Sequence, residues 1–212
     1  MRLQSENTFS RSAGSFTHAN RRIGLLGGSF NPAHDGHRYI SVEALKRLGL
    51  DEVWWLVSPQ NPLKPESGMA PFAQRLEYAR QIVRHPRIRV SAIEAEMGTR
   101  YTANTLESLV QRYPAAKFVW LMGADNLVQI SAWRDWSKIF HTVSIAVFAR
   151  DSYDSKALSA RAASCFRFAQ LPGSTAGRLA DAAPPAWLFL RIRPHPATAT
   201  DLRQAGAWPV ET

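Results

Sequence analysis

Residues 23–37 read Ile-Gly-Leu-Leu-Gly-Gly-Ser-Phe-Asn-Pro-Ala-His-Asp-Gly-His. Ile23–Leu26 is an apolar run of the length of a buried strand. It leads directly into Gly27-Gly28, and glycine, lacking a Cβ, lets a ligand approach the main chain closely. Asn31-Pro32 is a turn signal that re-aims the chain. His34 and His37 follow, and a helical pattern opens at His37, with Ile40, Ala44, Leu45 and Leu48 at the 3.6-residue period. Gly49 stands where a C-terminal cap belongs. Gly36 allows the helix to begin close to a ligand. Strand, Gly-rich turn and helix start together hold phosphate against backbone N–H groups. Two imidazoles at the same point add donors for a phosphoryl group. Singly, each part has a plainer meaning: Gly-Gly is a turn, and two histidines are solvated loop residues or a metal pair. No obvious third metal ligand accompanies them, and their order favours phosphate.

Outward from this stretch, strands and helices alternate. Strands are expected at Ile23–Leu26, Glu52–Val57, Arg87–Ile93, Lys117–Met122, Val143–Ala149 and Trp187–Ile192. Helices are expected at His37–Leu48, Phe72–Arg84, Thr102–Arg112 and Trp133–Phe140, with a last turn near Thr200. A Pro-rich loop runs from Pro59 to Pro71, and 150–184 is rich in Ala, Ser and Pro without a clear period. Alternating β and α units imply an α/β fold, a parallel sheet with helices on both faces. Ligands in such folds bind beyond the carboxyl ends of the strands. Gly27-Gly28, Ser58-Pro59, Gly123-Ala124-Asp125 and Arg150 all fall there. Residues 1–21 are Ser/Arg/Asn-rich without a sustained period and read as a disordered leader before one domain spanning 22–212. Their basic, acid-poor composition is shared with transit peptides, but a ragged N-terminus is the simpler account.

Composition bounds the function. With 212 residues, 45% hydrophobic and 20% charged, the chain is long enough for one domain with a sizeable core. The single cysteine, Cys165, precludes an intramolecular disulfide and suits a reducing compartment, so a cytoplasmic location is expected. No apolar run approaches the ~20 residues that span a bilayer, so no membrane partner is expected. A net charge of +9 suits polyanionic ligands. The basic residues are dispersed, with no block and no nucleic-acid motif, so a nucleic-acid partner is not expected. Arg75, Arg80 and Arg84 read as the solvated face of a helix.

Further candidates sit on the later segments. Lys64 in the Pro-rich loop is either a solvated lysine or a cation closing over phosphates. Thr102 suits a helix N-cap, and the N–H groups of that turn equally suit a bound carboxylate. Asp125 suits ribose hydroxyls or an N-cap. Trp133 and Trp136, three apart, suit core packing. Thr198, Thr200 and Arg203 place hydroxyls and a bidentate cation at a helix start, a grip for phosphate or simply a capped helix with a surface arginine.

The chain resembles the HxGH nucleotidyltransferase superfamily, whose first strand ends in GxFxPxHxGH, here GGSFNPAHDGH at 27–37. Within it the chain is most similar to the nicotinate-nucleotide adenylyltransferases. The likeness runs from about Arg22 to Arg203 through SPQNPLKP (58–65), RYTANTL (100–106), MGADNLVQISAWRDW (122–136) and ATATDLR (197–203). The resemblance implies a Rossmann-like fold and transfer of AMP from ATP to nicotinate mononucleotide, with magnesium carried by ATP. It implies His34, His37, Lys64 and Arg203 as catalytic groups, and Gly27, Gly28, Ser29, Phe30, Arg150, Thr198 and Thr200 around ATP. It puts Tyr101, Thr102, Asp125 and Trp133 around the nicotinate half, Trp133 rather than Trp136 stacking on the ring. This chain departs from the pattern in having Leu63 where the family often has His, and Ala197-Thr198 for Ile-Ser. It also ends nine residues after Arg203, where another helix is usual, so Leu202 and Trp208 are expected to complete the packing. Another acceptor, such as nicotinamide mononucleotide or phosphopantetheine, a cytidylyl rather than adenylyl transfer, or a non-catalytic nucleotide-binding role remain open at this point. The oligomeric state is not legible.

Overall fold

Glu52–Val57 is buried at every position, as are all six residues of Ser144–Ala149. Strands that bury both faces belong in a sheet covered on both sides, and that is the architecture of the computed structural model, which describes residues 20–59, 68–149, 154–193, 199–204 and 208. Six strands, β1 (Arg22–Gly28), β2 (Glu52–Val57), β3 (Ile88–Ser91), β4 (Lys117–Gly123), β5 (Ser144–Ala149) and β6 (Trp187–Arg191), form one sheet in the order β3-β2-β1-β4-β5-β6. All five pairings are parallel. The chain winds outward from β1 to β3, then returns to β4 and winds the other way. The crevice at the carboxyl ends of β1 and β4 is therefore the topological switch point where such sheets bind ligands.

Each face carries its own core. One gathers residues of α3 (Ile93–Glu96), α4 (Thr102–Arg112), α5 (Ala124–Gln129), α6 (Trp136–Thr142), α7 (Asp154–Leu158) and α8 (Arg161–Cys165). The other gathers α1 (Asp35–Arg47), α2 (Phe72–Val83) and a 3₁₀ stretch at Gly173–Asp181. A last helix, α9, covers Ala199–Gln204. Adjacent tryptophans of β2 show the strand alternation: Trp54 packs edge-on to Tyr113 on one face, while Trp55 on the other donates to Ser41 Oγ at 2.8 Å.

Several boundaries differ from the sequence expectation. Gly27 and Gly28 are not a turn after β1 but its last two residues, in register with Leu56 and Val57. A Cβ on Gly27 would fall on the Trp120 ring, so the glycine is a packing requirement. The first helix begins at Asp35 rather than His37, because His34 caps it. Gly49, at φ +61°, follows its end as expected. β3 stops at Ser91, whose hydroxyl accepts from the Ile93 N–H and opens the unexpected α3. The helix expected at Trp133–Phe140 is α6, which begins at Trp136 and runs to Thr142, and it is preceded by the unexpected α5 and a short 3₁₀ turn at Ile130–Ala132. Thr102 is the first residue of α4 and Tyr101 holds the cap position, without a side-chain cap bond. Gly123, not Asp125, caps α5. The unreadable stretch 150–184 includes α7, α8 and the 3₁₀ segment.

The largest correction is Arg75. Arg80 and Arg84 are exposed as expected, but Arg75 on the same helix is only 1 % exposed. A position's place on a helix face sets its direction, and the neighbouring loops decide whether solvent reaches it.

Candidate active site

His34 is 7 % exposed and ends the turn after β1. Its Nδ1 accepts the Gly36 N–H at 3.1 Å, and its own N–H donates to His37 Nδ1 at 3.2 Å. This is a reciprocal capping box built from two histidines. An Nδ1 that accepts a hydrogen bond carries no proton, so each neutral ring carries its proton on Nε2. The ring centroids lie 3.8 Å apart. Phe30 packs beneath, 4.8 Å from His37 and stacked on Trp55 at 5.1 Å and 16°. Two donors of fixed tautomer thus stand together at a helix N-terminus, beside the end of β1.

Phe30 has φ +46°, a left-handed conformation unusual for an aromatic residue. Such outliers persist where surroundings over-determine them. Here Arg75 Nη1 donates to the Ser29 carbonyl, on the peptide that joins Ser29 to Phe30, at 2.6 Å. Asn31, read from sequence only as a turn residue, ties three segments together. Its Nδ2 donates to the Gly68 carbonyl, and its Oδ1 accepts from the Ala70 N–H and from Trp208 Nε1 at 2.9 Å. Its carbonyl accepts from Arg203 Nη1 at 2.6 Å, while Arg203 Nη2 donates to Thr200 Oγ1 at 3.2 Å. The structure therefore brings Ser29, Phe30, His34, His37, Thr200 and Arg203 to one place. Trp208, 4 % exposed and edge-on to Tyr78, completes the packing as expected.

The second group lies along the same carboxyl edge. Leu26 pairs with Leu121, so Gly28 and Gly123, each two residues on, end neighbouring strands. Asp125 is exposed in the first turn of α5, with its carboxylate folded over Gly123. Tyr101 and Thr102 are half-buried where α4 opens, and the Arg134 guanidinium lies 4.9 Å over the Tyr101 ring. Trp133 is half-buried against the core, as is Trp136, which meets Phe140 and Phe166 edge-on. Lys64, Arg150 and Thr198 lie outside the described residues. Among the described residues, no three His, Cys, Asp or Glu side chains converge as a metal cage, and no helix is long and apolar enough to cross a membrane.

Sequence reasoning missed Glu94. It is 8 % exposed in the short helix α3 that follows β3, where burial pushes its carboxyl up to about 7 while hydroxyls of Thr105 and Ser58 favour ionisation. Its acidic type in a short apolar context (Ser-Ala-Ile-Glu-Ala) was the one available signal.

A family model described as cytidylyltransferase-like matches residues 25–205. The chain belongs to that family. A protein of Cereibacter sphaeroides named "Probable nicotinate-nucleotide adenylyltransferase" is 50% identical over 186 residues, 88% of this chain and 98% of the relative. One of Parvibaculum lavamentivorans with the same name is 50% identical over 187 residues, 88% of this chain and 93% of its own. The fold is shared with the Plasmodium falciparum nicotinic acid mononucleotide adenylyltransferase complexed with NaAD, at a TM-score of 0.64 and 15% identity, over 87% of this chain and 83% of that one. The family's HxGH signature is the capping box of α1, so the residues that mark it in sequence are also those that build its helix start.

Proposed function

We propose that this cytidylyltransferase-like enzyme is a nicotinate-nucleotide adenylyltransferase, joining ATP and nicotinate mononucleotide to form nicotinate adenine dinucleotide and pyrophosphate, a step of NAD biosynthesis. The observation that carries the reading is the His34–His37 pair, two Nε2–H donors of fixed tautomer at a helix N-terminus. A 5′-phosphate oxygen of nicotinate mononucleotide attacks the α-phosphorus of ATP in line. The bond from that phosphorus to the bridging oxygen breaks, and pyrophosphate leaves with the electron pair. No protein nucleophile takes part. The protein positions the two phosphates and stabilises charge on the α-phosphate oxygens. His37 and His34 donate there. Arg203, held through Nη1 on the Asn31 carbonyl and through Nη2 on Thr200 Oγ1, offers its remaining N–H donors to the departing pyrophosphate, a role that the resemblance extends to Thr198 and Lys64. Gly27, Gly28, Ser29 and Phe30 line the nucleotide floor, and the resemblance assigns Arg150 to the adenine.

Magnesium fits as part of the ATP substrate. The donor set by the histidines is imidazole, hydroxyl, guanidinium and backbone N–H, which suits triphosphate oxygens and not a bare cation. The ion screens charge on the β- and γ-phosphates. Tyr101, Thr102, Asp125 and Trp133 form the nicotinate half. We place the enzyme in the cytoplasm, in keeping with its one free cysteine.

The test is pyrophosphate release with ATP and magnesium, comparing nicotinate mononucleotide, nicotinamide mononucleotide and phosphopantetheine. A strong preference for the first is expected. Preference for another acceptor overturns the nicotinate half, and no release with any acceptor overturns the enzymatic reading.

A further inference from the structure

We infer that Arg75 is a positioning residue for ATP, holding the Ser29–Phe30 turn and the start of the loop after β2 in the shape that receives the triphosphate. The inference rests on the proposed placement of ATP at that turn. Arg75 is 1 % exposed, and four of its five N–H donors end on carbonyl oxygens. Nε donates to Ala70 at 2.9 Å, Nη1 to Ser29 at 2.6 Å and to Ser58 at 2.8 Å, and Nη2 to Pro59 at 2.7 Å. These carbonyls belong to three segments: the turn after β1, the end of β2 with the start of its loop, and the approach to α2. Only a planar fork reaches four acceptors in fixed directions.

Two features separate this arrangement from ordinary core packing. First, the Ser29 bond falls on the peptide preceding Phe30, whose φ of +46° needs outside support. Phe30 in turn packs on His37, so the guanidinium fixes the turn and the ring under a phosphate-donor histidine together. Second, among the described residues no carboxylate pairs directly with Arg75, whose four hydrogen bonds all end on backbone carbonyls. Burial lowers its pKa, yet an arginine stays protonated. A buried cation held by carbonyls rather than by a paired carboxylate attracts a polyanion more strongly than a solvated one. Tyr101 and Thr102 make none of these contacts, so the nicotinate half should not depend on them.

The test compares wild type with Arg75→Lys, which keeps the charge but not the fork, and Arg75→Gln, which keeps a donor but not the charge. Calorimetry measures the Kd of Mg·ATP and, separately, of nicotinate mononucleotide, with urea unfolding as a record of folding. At least a tenfold loss of ATP affinity is expected in both variants, larger for Gln, with nicotinate mononucleotide binding within twofold of wild type. If stability falls while ATP affinity holds, or if both ligands weaken equally, Arg75 is only structural and the inference fails. Should one variant not fold, the other decides by the same two constants. A wild type that binds ATP but releases no pyrophosphate with nicotinate mononucleotide refutes the proposed reaction, while the ATP constants of the variants still judge Arg75.

Discussion

Glu94→Gln should make the protein less sensitive to rising pH. Glu94 sits at the start of α3, with Thr105 Oγ1 at 3.4 Å and the Ser58 hydroxyl on its carboxylate, and no cation pairs with it among the described residues. Desolvation dominates and raises its pKa from 4.5 to about 7. The folded chain therefore keeps a proton that the unfolded chain has lost. The stability linked to that proton is complete below the unfolded value and disappears as pH rises through the folded one. At about 1.4 kcal/mol per pKa unit, the change between pH 5 and pH 8 is about 2 to 3 kcal/mol. Glutamine does not titrate and retains an acceptor for the two hydroxyls. Urea unfolding of both proteins at pH 5 and pH 8 gives the double difference, from which all other titrating groups cancel. The variant should gain about 2 to 3 kcal/mol on wild type over that range. A double difference that is flat, or of opposite sign, would show that Glu94 is ionised in the folded protein at pH 5 and refute the argument.

Three other outcomes follow from single contacts. His37→Ala should lower kcat by roughly 100- to 1,000-fold, the effect of losing one charge-stabilising donor, while the lost cap bond costs only about 1 kcal/mol in unfolding experiments; a large stability loss with normal kcat would make His37 structural. Gly27→Ala drives a Cβ into the Trp120 ring and should destabilise by about 1 to 3 kcal/mol in a thermal melt, and an unchanged melting temperature would count against the packing. Trp208→Phe keeps the aromatic contact with Tyr78 but removes the donor to Asn31 Oδ1. It should cost about 1 kcal/mol by urea unfolding, and no change would mean that water replaces the indole N–H at no cost.

The strands were legible because parallel strands buried on both faces are continuous apolar runs, and EVWWLV at 52–57 is one by inspection. The histidine pair and the helix it opens were legible too, since a capping box spans only His34 to His37. The fold class and the edge of the sheet that carries the candidate site follow from these local patterns alone. What the sequence could not decide is which local features other segments would complete. Helical period put Arg75 on the same surface as Arg80, and only the carbonyls of Ser29, Ser58, Pro59 and Ala70, brought in by the turn after β1, the end of β2 and the approach to α2, turn it into a buried hub. Asn31 is a turn residue until Gly68, Ala70, Arg203 and Trp208 arrive at it. Glu94 is an ordinary acid until α4 closes over it and removes its water. Burial and hydrogen-bond partnership are sums over residues far apart in the chain, so periodicity, which sees only neighbours along it, decides the elements, and tertiary packing decides which polar side chains the site is built on.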